Sequence, residues 1–261
     1  MTSWENLQAE LDAWAEAGLT AQFWWRDDDA VEPTAALNRL LDLAARHDAP
    51  LALAVIPARA AQALGRLLDG HPLATPVQHG FAHRNHAPPD EKKIELGPHR
   101  PLDVVSEELL RGRALMTGLF GERFLPMLVP PWNRIAGALV EALPALGLTA
   151  VSAHGARSQP EPLPGLRQVN THADILRWTD PRGFLGEAEA LSLVCGHLQA
   201  RRQGQAGPPD PAEPTGILSH HLAHDEKTWD FLERLLAVLA EHGAASVLRV
   251  ERTLETGGAA P

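Results

Sequence analysis

The chain has 261 residues, 44% of them hydrophobic and 21% charged, with a formal net charge of −10. That composition suits a globular chain with a full core and excludes a disordered or fibrous one. The acidic balance argues against a nucleic-acid partner, which favours a basic face. No stretch approaches the ~18 apolar residues of a membrane span, so no membrane partner is expected.

The first residues, Met1-Thr2-Ser3-Trp4-Glu5-Asn6, carry neither a basic n-region nor an apolar h-region, so a cytoplasmic location is the expectation. A helix follows over 4–17, within a peripheral segment of about 1–20. Short apolar runs then predict buried strands at 21–25, 51–56, 75–78, 124–129, 149–153, 166–169, 216–219 and 246–250. Helical periodicity fills the gaps at 34–46, 58–68, 103–119, 135–146, 186–199 and 227–241. Gly70, Gly121, Gly147 and Gly243 stand where helices should stop.

Two stretches read as long loops. The first, 87–101, is rich in proline and charge and is a candidate cover for a site; the second, 203–214, is a Pro/Gly connector. The single cysteine, Cys195, excludes an intramolecular disulfide and reads as a small buried hydrophobe. One domain over 1–261 is expected, with a core of about 21–250 and a tail over 251–261.

Strands alternating with helices imply an α/β fold with a mainly parallel sheet, either a barrel or a doubly wound sheet. In both, ligands bind at the C-terminal ends of the strands. Four polar segments fall there. Arg26-Asp27-Asp28-Asp29 follows the first strand, and three adjacent carboxylates demand compensating cations. If extension persists, Asp27 and Asp29 point one way and Asp28 the other; a turn here lets Asp28 and Asp29 both reach the rim. His79-Gly80-Phe81-Ala82-His83 follows the third strand, and a spacing of four on a helical turn puts two imidazoles on one face, with His86 beyond.

Pro130-Pro131-Trp132-Asn133-Arg134 follows the fourth strand, shaping a pocket wall and offering backbone N–H groups to an oxyanion. His220 and His221 follow the seventh and suit a general acid, with Asp225 orienting a histidine or capping the next helix. Asp174 and Arg177, within Asn170 to Trp178, are weaker candidates for orienting a catalytic group. Two imidazoles and a carboxylate, with a second carboxylate as base, are the set that metal-assisted hydrolysis needs.

In this order the segments resemble the motifs of the polysaccharide deacetylase family, the carbohydrate esterases with the NodB-type fold. Those proteins carry Thr-Phe-Asp-Asp, His-(Ser/Thr)-x-x-His, Arg-x-Pro-Tyr-Gly, an Asp motif with Trp, and Leu-x-x-His. Here Asp28-Asp29, His79 to His83, Pro130 to Asn133, Asp174 with Trp178, and Leu218-Ser219-His220 stand in those places, over about 21–225. The resemblance implies a distorted (β/α) barrel of seven or eight strands and a divalent metal, usually zinc. It implies Asp29, His79 and His83 as metal ligands, Asp28 as base, and His220 or His221 as acid. Pro131, Trp132, Asn133 and Asp174 are assigned to substrate binding, with Arg26, Asp27 and His86 as accessory residues.

Three departures stand out. Gly80 replaces Ser or Thr, Asn133 replaces Gly, and Val129 stands where the third motif has Arg, leaving Arg26 or Arg134 to replace it. The expected activity is metal-dependent hydrolysis of a C–N amide bond, most simply deacetylation of an N-acetylated sugar or related small amide. The expected partner is therefore a small-molecule or oligosaccharide substrate, and a homo-oligomer is compatible with the sequence. The rivals are a cytoplasmic cyclic amide or ureide hydrolase on the same fold, and a non-catalytic carbohydrate-binding homologue.

Overall fold

The computed structural model describes residues 2–204 and 210–255. Part of the 203–214 connector, and the tail beyond 255, lie outside the described residues. The strands are β1 (Ala21–Ala30), β2 (Leu51–Val55), β3 (Ala74–His79), β4 (Met127–Val129), β5 (Ala150–Val151), β6 (Arg167–Gln168), β7 (Ala173–Asp174), β8 (Leu176–Arg177), β9 (Gly183–Phe184), β10 (Thr215–Ser219) and β11 (Ala245–Val247). The helices are α1 (Trp4–Glu16), α2 (Ala35–Arg46), α3 (Gln62–Asp69), α4 (Leu102–Phe120), α5 (Gly137–Ala142), α6 (Glu187–Arg202), α7 (Glu226–Glu241) and α8 (Val250–Glu255).

The main sheet runs β6-β5-β4-β3-β2-β1-β10-β7 with every pairing parallel, and β11 pairs the start of β1. Its two ends, β6 and β7, lie on one extended run. The start of that run bonds β5, where the Val169 N–H donates to the Val151 carbonyl. Its end bonds β10, where the His172 N–H donates to the Gly216 carbonyl at 2.7 Å. One stretch of chain thus closes the sheet into a distorted barrel. The 166–169 prediction found only half of this run. It missed β7 and the small β8–β9 hairpin because strands of two residues carry no detectable periodicity.

Side-chain alternation on β1 sorts the layers. Phe23 and Trp25 face outward and join Leu37, Leu40, Leu232 and Leu235 of α2 and α7 in the large helix-facing core. Trp24 faces inward with Ala52, Ala54, Val77, Met127, Val129 and Ala150. Val250 and Leu254 of α8 pack into this interior cluster. The last strand therefore ends at Val247, not at 250, and part of the expected tail is a helix packed against the barrel interior.

A buried polar layer lies where the chain enters β10. Glu213, fully buried, accepts the N–H groups of Arg157 and Asn170 at 2.8 Å each. The His172 and His197 rings stack with centroids 3.5 Å apart, anchored through Nδ1 to the Gly216 N–H and the Thr215 hydroxyl. Burial pushes Glu213 up to about 7 and drives His172 down to about 3 and His197 down to about 2. The histidines are thus held neutral while their unfolded counterparts take protons below about pH 6.5. Their contribution to stability is complete above that value and is lost as pH falls towards the folded values. The thermal midpoint of His197→Gln should fall less steeply than that of the unaltered protein between about pH 6.5 and 4, measured by circular dichroism. Parallel slopes would show that His197 carries no such linkage.

Candidate metal centre and catalytic cleft

The inward column Trp24-Arg26 sets the floor of the site. Arg26 is 0% exposed, and both of its terminal nitrogens are engaged. Its Nη1 donates to the Ser152 hydroxyl at 2.7 Å and to the Ser152 and Ala153 carbonyls. Its Nη2 donates to Asn133 Oδ1 at 2.7 Å and to Asp28 Oδ2 at 3.0 Å, while Nε lies 2.9 Å from Asp28 Oδ1. A buried guanidinium is tolerable only with this degree of satisfaction. Arg26, not Arg134, therefore stands against Asp28; Arg134 donates to the Lys93 carbonyl at 2.8 Å. The arginine absent after β4 is supplied from β1.

β1 does not stop at Trp25 but runs on through the acidic cluster. Three steps from Asp27 to Ala30 match two from Leu53 to Val55, a one-residue bulge. Asp29 takes φ 75, a left-handed value that Asp tolerates better than most residues. The bulge breaks the alternation, so Asp28 and Asp29 both line the cleft while Asp27 does not. Asp27 faces the helix layer, fully buried, and accepts from the Ser219 hydroxyl at 2.6 Å, the His221 N–H at 2.9 Å and His221 Nδ1 at 2.5 Å. His221 is consequently withdrawn, 1% exposed, and does not line the cleft. Of the two histidines left open by the sequence, His220 lines the cleft, and Asp27 and His221 pair beneath the rim.

His79 ends β3, and its Nδ1–H donates to the Val129 carbonyl at 3.0 Å, which leaves Nε2 facing the cleft. His83 arrives by a route other than the expected helical turn. Gly80 at φ 53 and His83 at φ 56 wind a tight loop that returns the second ring beside the first, centroids 5.1 Å apart. Both Nε2 atoms lie 3.3 Å from Asp29 Oδ1. The buried Oδ1 has no hydrogen-bond partner among the described residues. The three ligand atoms lie within 4.8 Å of one another, and a carboxylate oxygen between two imidazole nitrogens fits a divalent ion with an open position. Burial works to raise the Asp29 carboxyl, yet His79, His220 and His83 hold it well below the usual carboxylate range. Burial pulls His79 down, but Asp28 and Asp29 outweigh it and raise it; His83 is lowered by burial and by His79.

The 87–101 loop supports the site through Glu95 and brings Lys93 to the cleft wall. Glu95, 1% exposed, accepts the N–H groups of Phe81 at 3.1 Å, Ala82 at 2.8 Å and Arg84 at 3.3 Å. This carboxylate fills the space a side chain at position 80 would need. A Cβ on Gly80 would lie 2.1 Å from Glu95 Oε2 and 2.6 Å from the Pro131 ring. His86 stays in this loop, half-buried, and does not line the cleft.

The cleft holds about 470 Å³. Trp132 and Asn133 line it at φ 56 each, with the Trp132 ring 4.4 Å from that of His83; Pro131 packs behind them. Asn at position 133 keeps a left-handed residue where the motif has Gly, and its side chain adds the bond to Arg26. His220 Nε2 lies 3.9 Å from Asp28 Oδ2, and Trp178 meets the His220 ring edge-on at 4.6 Å. Asp174 Oδ2 accepts Trp178 Nε1–H at 2.8 Å. The lining also includes Arg134, and with it His154, Lys93 and Arg182, which the sequence reading did not select. His154 follows the 149–153 strand directly, so the strand-end rule that selected its neighbours was available for it too. Cys195 is half-buried in α6 and its thiol is pushed up to about 11, as suits an inert packing residue.

No family model matches the sequence, and no curated protein does. Solved structures do. A polysaccharide deacetylase-like structure from Mycobacterium smegmatis superposes with a TM-score of 0.67 at 14% identity, covering 92% of this chain and 91% of that one. This chain has the polysaccharide deacetylase fold. A family 4 carbohydrate esterase from Streptomyces lividans, solved with acetate, gives 0.58 at 15% identity, covering 91% and 95% of the two chains. A pseudoenzyme of that family from Bacillus anthracis gives 0.56 at 12%, covering 90% of this chain and 66% of that one.

The Gly80–Glu95 contact yields a sharp expectation. Gly80→Ser, which installs a residue usual in the resembled motif, should lower stability by roughly 2–4 kcal/mol through overpacking and the left-handed backbone. It should also weaken metal binding. Denaturant unfolding and a metal titration check both; a fully stable Gly80→Ser protein would show that the loop relaxes freely.

Proposed function

We propose that the protein is a divalent-metal-dependent hydrolase of C–N amide bonds, removing the acetyl group from an N-acetylated sugar or a related small amide. The observation that carries this reading is the convergence of Asp29, His79 and His83 on one point, with Asp28 and His220 on the same cleft wall. The family resemblance and the deacetylase names of the structural neighbours support it.

Asp29, His79 and His83 would hold the ion. A divalent ion there, zinc being the natural fit to two imidazoles and a carboxylate, supplies a Lewis acid that lowers the pKa of water and polarises the amide carbonyl. Asp28 is the general base. Arg26 touches both of its oxygens and fixes their plane, and Asp28 takes the proton of the attacking water. The backbone N–H of Trp132, on the turn after β4, donates to the developing oxyanion. His220 protonates the departing nitrogen, with Trp178 holding its ring and Asp174 holding Trp178. Trp132 and Trp178 shape the walls around a small polar substrate.

Arg26 also bears on the non-catalytic alternative. Val129 removes an arginine from the third motif, but Asp28 is not left without its cation. The departure is a relocation, and the catalytic reading is the one it favours.

Elemental analysis and turnover test the scheme together. The unaltered protein should hold about one zinc or similar divalent ion per chain, and His79→Ala should lose it. Asp28→Asn should keep the ion while losing about 100- to 10,000-fold in acetate release from N-acetylated sugars. His220→Ala should fall by a comparable factor. An Asp28→Asn variant with full turnover would remove the mechanism. A parallel panel of cyclic ureides separates the amide classes.

A further inference from the structure

The cleft has a feature that metal hydrolysis does not require. Three cations line it: Lys93 from the loop before α4, Arg134 after β4, and Arg182 on the β8–β9 hairpin. Lys93 and Arg182 are exposed, and neither has a carboxylate partner among the described residues. Arg134 is half-buried, and its guanidinium contact is the Lys93 carbonyl. Two arginines close to these positions are paired. Arg100 meets Glu108, and Arg177, on the same hairpin as Arg182, meets Glu189.

The local charge contrasts with the whole. The chain carries −10, an average field that repels anions. Three carboxylates line the cleft, Asp28, Asp29 and Asp174. Asp28 is matched by the buried Arg26, and Asp174 accepts from Trp178. The remaining cations are free to meet a ligand. An acidic protein that leaves three cations around one cleft with no carboxylate partner among the described residues has made an anion-attracting opening in an anion-repelling surface. Two of the three are arginines, whose planar fork suits carboxylate and phosphate. Beside Arg182, Trp178 remains 44% exposed and offers a flat apolar face to a sugar ring.

We propose that Lys93, Arg134 and Arg182 select substrates carrying an anionic group, a carboxylate or a phosphate, on the N-acetylated sugar. This inference rests on the deacetylase reading for the identity of the sugar amide. The anion preference itself is read by binding alone and so can be judged separately.

The test is calorimetric titration of the metal-loaded full chain with three probes: N-acetylglucosamine, its 6-phosphate, and N-acetylmuramic acid, which carries a carboxylate. Acetate release is measured alongside. At least one anionic probe should bind about tenfold or more tightly than the neutral sugar, and the preference should shrink in high salt. Whichever arm shows it names the anion as phosphate or carboxylate. A triple variant, Lys93→Gln with Arg134→Gln and Arg182→Gln, should reduce the ratio of anionic to neutral affinity to about threefold or less. Equal binding of all three probes, a preference for the neutral sugar, no binding of any, or a preference that survives the triple variant would each overturn the proposal. Tight binding of an anionic probe with no acetate release would keep the anion site and sink the deacetylase reading.

Discussion

The contact between Arg26 and Asp28 is the constraint around which the site is arranged. A charged pair inside a barrel is costly unless every remaining valence is met, and breaking it from one side costs about 3–5 kcal/mol. Arg26 goes most of the way through its terminal nitrogens, which reach Ser152 and Ala153 after β5 and Asn133 after β4 as well as Asp28, while Nε faces Asp28 Oδ1 as an ion pair. One guanidinium thereby ties three separate strand ends to a single depth. The left-handed backbone at Asn133 and the bulge before Ala30 both serve this geometry, since each delivers an oxygen to the same cation.

The second organising fact is the split of the acidic run. Three consecutive aspartates end in three environments. Asp27 is buried towards the helices against Ser219 and His221, Asp28 lies on Arg26, and Asp29 faces the two imidazoles. The same division sorts the histidines after β10, because Asp27 draws His221 inward and leaves His220 at the rim. Mutual repulsion within the run is relieved by giving each carboxylate a different partner.

Much of the fold was legible in the sequence, because long elements announce themselves. The 3.6-residue periodicity of 34–46 and 227–241 places α2 and α7, and the apolar runs at 51–56 and 216–219 place β2 and β10. What stayed hidden had no local signature. β7, β8 and β9 are two residues each, and α8 was obscured by the strand expected to run through Val250. At the site, strand-end position put Asp28, Asp29, His79, Trp132 and His220 at one rim, and all five line the cleft. Spacing misled for His83, whose approach depends on left-handed residues and not on a helical turn. It was also silent about Glu95, because a carboxylate that accepts three backbone N–H groups is defined by the loop it closes and not by any motif.

The Gly80–Glu95 contact also constrains the order in which this loop can change. With Glu95 in place, any side chain at position 80 meets the carboxylate at 2.1 Å. With Gly80 in place, loss of Glu95 leaves buried N–H groups of Phe81 and Ala82 without an acceptor. Each single step is unfavourable, and the paired change still leaves a side chain at position 80 against the Pro131 ring, 2.6 Å from its Cβ. Positions 80, 95 and 131 therefore form one interlocked unit, in which a change at any one is felt by the other two.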